Sequence, residues 1–186
     1  MQKIVNLKMV IAGALLATST LTACETTPKV RSDFDSSYDF ASYATFTWAF
    51  ERVILVSGDY ILGSVKRQVM IDQAKLAFEE KGYRFVDNAS EADFVVSLSV
   101  GAQDKIDVDY VGGPGPWIGR TYTSRYTEGG LAIDIFDGGD KRAAWHGQST
   151  KRLPQKELDN PGPSFKEAVS LVLANFPPQP TPLEAN

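Results

Sequence analysis

The sequence predicts an α+β domain in which two α-helices pack on one face of an antiparallel β-sheet. Residues 64–81 and 164–176 repeat apolar side chains at three- and four-residue intervals, which is the spacing of an amphipathic helix. Residues 94–101 and 131–135 instead alternate apolar with small or polar side chains, as strands covered on one face do. Turn-forming residues separate the strand segments, so hairpin connections are expected.

The first 23 residues resemble the signal of a bacterial lipoprotein precursor. Two lysines and no acid precede an apolar run at 9–23, which is shorter than the roughly 20 apolar residues needed to cross a bilayer. A leucine, a threonine and an alanine then precede Cys24, the only cysteine, and this tetrad resembles a lipobox. The resemblance implies cleavage before Cys24 and attachment of three acyl chains to it, more than stable membrane attachment requires. The alternative is an ordinary signal peptide with an incidental cysteine.

The lipid on Cys24 predicts where the mature protein works. Glu25, rather than an aspartate, follows Cys24, and this resembles the default outer-membrane sorting signal of bacteria with two membranes. The expected location is the periplasmic side of the outer membrane, or the inner membrane or cell surface if sorting differs. Residues 24–32 are interpreted as the lipidated cysteine and a polar tether, residues 33–178 as a single domain, and residues 179–186 as a disordered tail.

Composition excludes two other classes of protein. Removal of residues 1–23 takes away two lysines and no acid, which leaves 17 Lys and Arg against 23 Asp and Glu, a net charge of −6. An acidic surface repels phosphate backbones, so nucleic acid is not an expected partner. Because the sole thiol is predicted to carry lipid, the mature chain forms no internal disulfide, and packing alone must stabilise it.

The first half of the domain predicts strands around one helix. The helix presents an apolar face, Lys75 and Glu79 pair on its polar side, and Gly82 follows it where a C-cap is expected. Asn88, Ser90 and Glu91 indicate a turn. The predicted elements are strands at 30–35 and 43–50, a third strand or an extension of the second at 53–56, the helix at 64–81, and a strand at 83–86.

The second half predicts a hairpin followed by a helix. Residues 102–119 contain many glycines and prolines and are predicted to form a long loop, which is either functional or disordered. Ser164 and Glu167 have the spacing of a capping box for the last helix, which prolines 177 and 178 end. The predicted strands are at 94–101, 120–127, 131–135 and 142–150, with a turn at 137–140.

Short motifs are spread along the chain between about Val30 and Pro178. Their residues are Asp33, Phe34, Asp35, Asp39, Phe40, Tyr43, Thr45, Phe46, Trp48, Gly82, Tyr83, Ala92, Asp93, Phe94, Val96, Gly130, Leu131, Trp145, Gly147, Phe176, Pro177 and Pro178. Together these motifs resemble a bacterial lipoprotein family, the domain of unknown function 4136 family. The resemblance implies an α+β fold with two helices against an antiparallel sheet, and it implies no reaction, because the family has no assigned catalytic or binding residues.

His146 is the only histidine and the first catalytic candidate to consider. Beside Asp134 and a serine it has the chemistry of a general base, but the chain contains no G-x-S-x-G nucleophile motif. Strand alternation places His146 opposite Trp145, on the more polar face. We therefore expect a surface histidine and no catalytic residues.

Metal and cofactor sites are not expected either. Transition-metal sites combine several His or Cys ligands, whereas this chain has one of each. Asp104, Asp107 and Asp109 lack the spacing of a calcium-binding EF-hand and are interpreted as solvated acids. The glycines at 112–119 lack the lysine and hydroxyl of a phosphate-binding loop.

Trp117, in the Gly- and Pro-rich segment, is the remaining candidate contact residue. It either contacts a partner, ligand or membrane interface, or folds back over its own sheet. The leading hypothesis is a non-enzymatic, lipid-anchored module that binds or positions another envelope component, either a protein or the cell wall. The alternatives are a carrier for a small amphipathic ligand and, less favoured, a cell-wall hydrolase with two converging carboxylates.

Overall fold

The computed structural model describes residues 27–49, 54–55, 63–112 and 119–178 of the 186-residue chain. Within these residues the chain forms seven strands and three α-helices. In chain order they are β1 (Lys29–Phe34), β2 (Thr45–Trp48), β3 (Ile54–Leu55), α1 (Ser64–Glu80), β4 (Arg84–Phe85), β5 (Phe94–Gly112), β6 (Gly119–Asp137), β7 (Ala143–Leu153), α2 (Gln155–Asp159) and α3 (Gly162–Leu173).

The seven strands form one mixed sheet in the order β1-β7-β6-β5-β2-β4, with β3 beside β5. The fold is therefore α+β, as predicted, but the prediction of a purely antiparallel sheet is wrong. Strands β1, β7, β6 and β5 are antiparallel neighbours, whereas β2 and β3 run parallel to β5, and β4 runs parallel to β2. Helix α1 connects the β2 side of the sheet to β4 and returns the chain to the end where β2 starts. Strand β4 therefore begins at the same end as β2 and runs parallel to it.

One face of the sheet and the apolar faces of α1 and α3 contribute side chains to a single core. Phe94 lies near its centre, with ring centroids of Tyr43 and Tyr83 each 5.2 Å away and that of Phe176 at 5.7 Å. The buried residues of this core are Phe46, Trp48, Met70, Ile71, Ala74, Phe78, Tyr83, Phe94, Val96, Leu98, Leu131, Ile133, Ile135, Trp145, Phe165, Val169, Val172, Leu173 and Phe176.

Both long helices lie where the periodicity predicts them, but the start of α3 differs. The predicted C-cap glycine, Gly82, has a φ of +96°, a conformation that favours glycine. The capping box is wrong: α3 begins at Gly162, and no side chain caps its first turn. Ser164 instead donates to Glu157, while Glu167 accepts from Lys151, so tertiary partners compete successfully for both side chains.

The long loop predicted between β5 and β6 is also wrong over most of its length. Strand β5 continues to Gly112 and β6 starts at Gly119, with unbroken pairing from Gly112 with Gly119 down to Phe94 with Asp137. The two strands predicted at 120–127 and 131–135 are one strand, because Gly129 and Gly130 pair on both sides and do not break it. The turn after Asp137 and the strand that follows it are confirmed.

Several predictions fall on residues outside the described ranges. They are the signal and lipidation site, including Cys24, the segment that contains Trp117, and the tail at 179–186. Strand β1 begins at Lys29, within the segment interpreted as the tether. None of the helices in the described ranges is long and apolar enough to cross a bilayer.

Candidate functional site

The face of the sheet opposite the core is lined by small and polar side chains, and we call it the open face. It arises because successive strand residues point to opposite sides, so each buried apolar residue is followed by one that faces away from the helices. Its central residues are half-buried rather than buried. They are Ser97, Ser99 and Gly101 on β5, Gly130, Ala132 and Asp134 on β6, and His146, Gln148 and Thr150 on β7.

A depression of about 250 Å³ lies on the open face. Small side chains form its floor, with Gly130 and Ala132 paired to Gln148 and neighbouring β7 residues. Hydroxyl and amide groups from Ser99, Gln148 and Thr150 line it. The carboxylate of Glu128, which is paired with Lys105, also lines it. These donors and acceptors suit hydrogen bonding to an extended polar segment.

His146 and Asp134 are in direct polar contact on the open face. Nδ1 of His146 lies 2.6 Å from Oδ1 of Asp134, and the two side chains are 42% and 32% exposed. Trp145, the next residue, points the other way and is 1% exposed. The prediction that His146 lies on the more polar face of a strand is confirmed.

The neighbours of this pair do not form a Ser–His–Asp arrangement. The register places Asp33 beside His146 on one side and Asp134 on the other, and Ser97 lies beyond Asp134. Ser97 is thus two strands from His146, about 10 Å at ordinary strand spacing, which is too far for the imidazole to take its proton. His146 is therefore not positioned to act as the base of a Ser–His–Asp triad with Ser97.

Lys151 joins the sheet to both C-terminal helices. Its side chain is 9% exposed, and Nζ lies 3.3 Å from Glu157 on α2 and 3.0 Å from Glu167 on α3. Burial lowers the pKa of Lys151, but hydrogen bonds to Glu167 and Glu157 outweigh it, so the pKa is raised overall. A cavity of about 70 Å³ between α3 and the sheet is lined by this lysine and by apolar side chains such as Leu131 and Phe165.

Asp93 and Asp137 hold the opposite end of the sheet together. Asp93 accepts hydrogen bonds from the amides of Ala44 and Thr45, and Asp137 accepts one from the hydroxyl of Tyr43 at 3.0 Å. Burial raises the pKa of Asp93, and the hydrogen bonds from Ala44 and Thr45 more than offset it, so the pKa is lowered overall. Several motif residues of the family resemblance therefore have structural contacts here.

The β5–β6 hairpin extends beyond the rest of the sheet as a two-stranded ribbon. Strand β7 ends at Leu153, beside Thr127, so residues 105–112 and 119–126 pair only with each other. We call this segment the ribbon. Large hydrophobic side chains on it are exposed: Ile106 61%, Val108 61%, Tyr110 69% and Tyr122 54%.

The two faces of the ribbon differ. One face carries Ile106, Val108 and Tyr110, which pair across the hairpin with Arg125, Thr123 and Thr121. The other carries Asp107, Asp109 and Tyr126, and its base is braced from β7. There Nη2 of Arg152 lies 2.8 Å from Asp107, and its guanidinium lies 3.7 Å from the ring centre of Tyr126.

The structure brings some of the candidate residues from the sequence together and leaves others apart. His146 and Asp134 are together, and of the three loop acids Asp107 binds Arg152 and Asp104 accepts from Thr127. Among the described residues no three His, Cys, Asp or Glu side chains are grouped to hold a metal ion. Sequence reasoning missed the ribbon, although its alternation of Ile106, Val108 and Tyr110 with polar residues was a strand signal.

Comparison with known proteins addresses the fold and family. Two solved structures share the fold with TM-scores of 0.52. One is a DUF4136 family protein from Bacteroides thetaiotaomicron, 15% identical over 81% of this chain and 96% of that one. The other is a PDZ domain protein from Parabacteroides distasonis, 12% identical over 84% of this chain, which spans only 38% of that protein. No curated protein matches the sequence.

The family model described as a domain of unknown function (DUF4136) matches residues 30–178. This range includes every strand and helix described above except the first residue of β1. It also agrees with the range over which the motifs resemble that family. The chain therefore belongs to the DUF4136 family.

Proposed function

We propose that this protein is a non-enzymatic, lipid-anchored module of the bacterial envelope that binds another envelope component on the open face of its sheet. Cys24 is the proposed lipidation site, and the proposed location is the periplasmic side of the outer membrane. The observation that carries the binding proposal is the depression of about 250 Å³ on the open face. The depression is lined mainly by small and neutral polar residues, with the Glu128 carboxylate as the one charged group among its described residues. Such a surface is suited to a partner that forms hydrogen bonds with it and shields it from water.

The other features of the open face support binding rather than chemistry. His146 is engaged by Asp134, and Ser97 lies two strands away from it. The depression beside β1 is lined by Asp33, Asp35 and His146, and not by Asp134. Hydrogen bonds from Ser37 lower the pKa of Asp35. The general acid of a two-carboxylate glycan hydrolase instead has a raised pKa, so this pair of acids does not favour that chemistry.

A carrier of amphipathic ligands is less well supported. The cavity between α3 and the sheet has apolar walls and a charged end at Lys151, which is the right chemistry for such a ligand. Its volume of about 70 Å³ is several-fold smaller than the roughly 300–1,000 Å³ of ligand sites. The open face is therefore the favoured site.

Photo-crosslinking in the native envelope tests the binding proposal. A benzophenone amino acid replaces Gln148, which lines the depression, and in a control chain it replaces Lys166, an exposed residue of α3. We expect a discrete adduct from position 148 and none from position 166. The adduct should disappear in an Ala132→Trp chain, because the indole ring fills the depression. The melting temperature should not change, because Ala132 is half-buried on the open face and does not face the core.

Two outcomes would contradict this proposal. Position 148 and position 166 giving the same set of adducts would mean that the open face is not selective. An adduct that persists at full yield in the Ala132→Trp chain would place the partner outside the depression.

A further inference from the structure

The ribbon and the N-terminal segment leave the sheet at the same end. One row of paired residues crosses four strands: Lys29, Thr150, Gly130 and Gly101. Because β1 and β7 are antiparallel, the N-terminal end of β1 at Pro28 and the C-terminal end of β7 at Leu153 lie on the same side of this row. The ribbon begins beside Leu153. Pro28 and Leu153 line the same cavity, which agrees with that direction.

The ribbon is longer than the greatest distance that the tether allows between the sheet and the membrane. Lys29 is five steps along the chain from Cys24, with four residues between them, so a fully extended tether spans at most about 18 Å. Tyr110 lies nine residues beyond Gly101 along β5, about 30 Å at the rise of a strand. If Cys24 lies at a membrane surface and the ribbon is perpendicular to that surface, Tyr110 would lie about 12 Å beneath it, the difference between the two lengths. A ribbon inclined to the surface satisfies both lengths, and it leaves room for α1 and α3, which pack on the same side of the sheet as Ile106, Val108 and Tyr110.

The chemistry of one ribbon face suits the surface of a lipid bilayer. Ile106, Val108 and Tyr110 are each more than 60% exposed, and no acid lies among them or their cross-strand partners. Their partners are two threonines and Arg125, whose guanidinium matches lipid phosphate. Asp104, at the base of this side, accepts a hydrogen bond from Thr127. Both ribbon acids, Asp107 and Asp109, lie on the opposite face.

We propose that the ribbon is a second membrane contact, with Ile106, Val108 and Tyr110 at the boundary of headgroups and acyl chains. This inference rests on the proposed anchor at Cys24. An isolated two-stranded hairpin is marginally stable in water, so a surface that covers its apolar face also stabilises it. Tyrosine and aliphatic side chains gain free energy at such an interface, whereas Asp107 and Asp109 stay in water.

Lipid crosslinking on vesicles tests this inference. The mature chain, which begins at Cys24, is coupled through the Cys24 thiol to maleimide-bearing phosphatidylethanolamine in vesicles of phosphatidylcholine and phosphatidylglycerol. A benzophenone amino acid replaces Val108, or in the control Asp109, the next residue on the opposite face. Mass spectrometry then counts lipid adducts. We expect several-fold more adducts from position 108 than from position 109.

The outcomes of this experiment are separable from those for the open face. The vesicles contain no other envelope component and the coupling is chemical, so neither a missing partner nor absent cellular lipidation affects the result. Equal lipid adducts at positions 108 and 109, or none at either, would overturn the membrane contact. Adducts between two copies of the chain at position 108 would also overturn it, because they would assign the apolar face to self-association. Both positions are exposed, so unchanged melting temperatures are expected.

Discussion

The carboxylate of Asp93 accepts hydrogen bonds from both the backbone amide and the hydroxyl of Thr45, each 2.8 Å long. Asp93 precedes β5 and Thr45 begins β2, and these strands are parallel neighbours. Gly138 donates its amide to the carbonyl of Asp93 at 2.7 Å, so the turn after β6 is held at the same point. The contact therefore joins three segments that are distant in sequence.

Asp93→Asn should lower the free energy of unfolding by about 1–3 kcal/mol, because it weakens hydrogen bonds to a charged acceptor. The folded pKa of Asp93 lies below its ordinary value of 3.8. Its stabilisation is thus fully present above pH 3.8 and is lost as the pH falls through the lower, folded value. Urea unfolding at pH 7 and at pH 3 should show a smaller difference between variant and parent at the lower pH.

Asp87→Asn is the matched control, because Asp87 is an exposed acid one strand away. It should change stability by less than about 0.5 kcal/mol. Equal losses in the two variants would show that net charge, and not the contact with Thr45, is responsible.

Gly147→Ala should destabilise the core. A Cβ atom at this position would lie 2.1 Å from Cη2 of Trp145 and 2.7 Å from Cγ1 of Val172. Overpacking of this kind costs about 1–3 kcal/mol. Gly130→Ala is the control, because nothing lies within 4 Å of the corresponding Cβ on the open face. Thermal unfolding should separate the two variants, and matching melting temperatures would contradict the packing of Trp145 over Gly147.

Lys151→Met should destabilise the attachment of α2 and α3 by about 1–3 kcal/mol, since it leaves Glu157 and Glu167 without their shared cation. The pKa of Lys151 is raised above 10.5 in the folded chain, so its contribution is complete below pH 10.5 and is lost as the pH rises through the folded value. Lys166→Met, at an exposed site, should be near neutral. Denaturant titrations at pH 7 would refute the prediction if both variants lost the same stability.

His146→Ala should have little effect on folding. The His146 and Asp134 side chains are 42% and 32% exposed, and polar contacts between side chains this exposed contribute about 0–1 kcal/mol. The melting temperature should therefore stay within a few degrees of the parent. Breaking a buried pair costs about 3 kcal/mol or more. A loss of that size would contradict the surface position of His146 and Asp134.

Cys24→Ala should release the protein from the membrane fraction. The three acyl chains proposed for Cys24 would account for stable attachment, so their loss should release the chain. Fractionation of cells that produce the variant, with mass measurement of the parent protein, checks this. A Cys24→Ala chain that remains fully with membranes, or a parent protein with an unmodified thiol, would contradict the anchor.

Local periodicity predicted much of the fold. The apolar face of α1, the alternation of Phe94, Val96 and Leu98, and the turn after Asp137 depend on neighbours a few residues apart. The position of His146 opposite Trp145 follows from the same alternation. Cys24 and Trp117 stay predictions, since both lie outside the described residues.

The sequence by itself determined where most of the strands and helices form and which side of each is apolar, because these properties depend on spacing along the chain. Tertiary structure decided the rest. The parallel pairing of β2 with β5, the exchange of a capping box for a contact of Ser164 with Glu157 on α2, and the continuation of β5 through Ile106 to Gly112 all depend on contacts with other elements of the fold. Such contacts compete with local preferences, and their outcome is set by which chain segments meet in space.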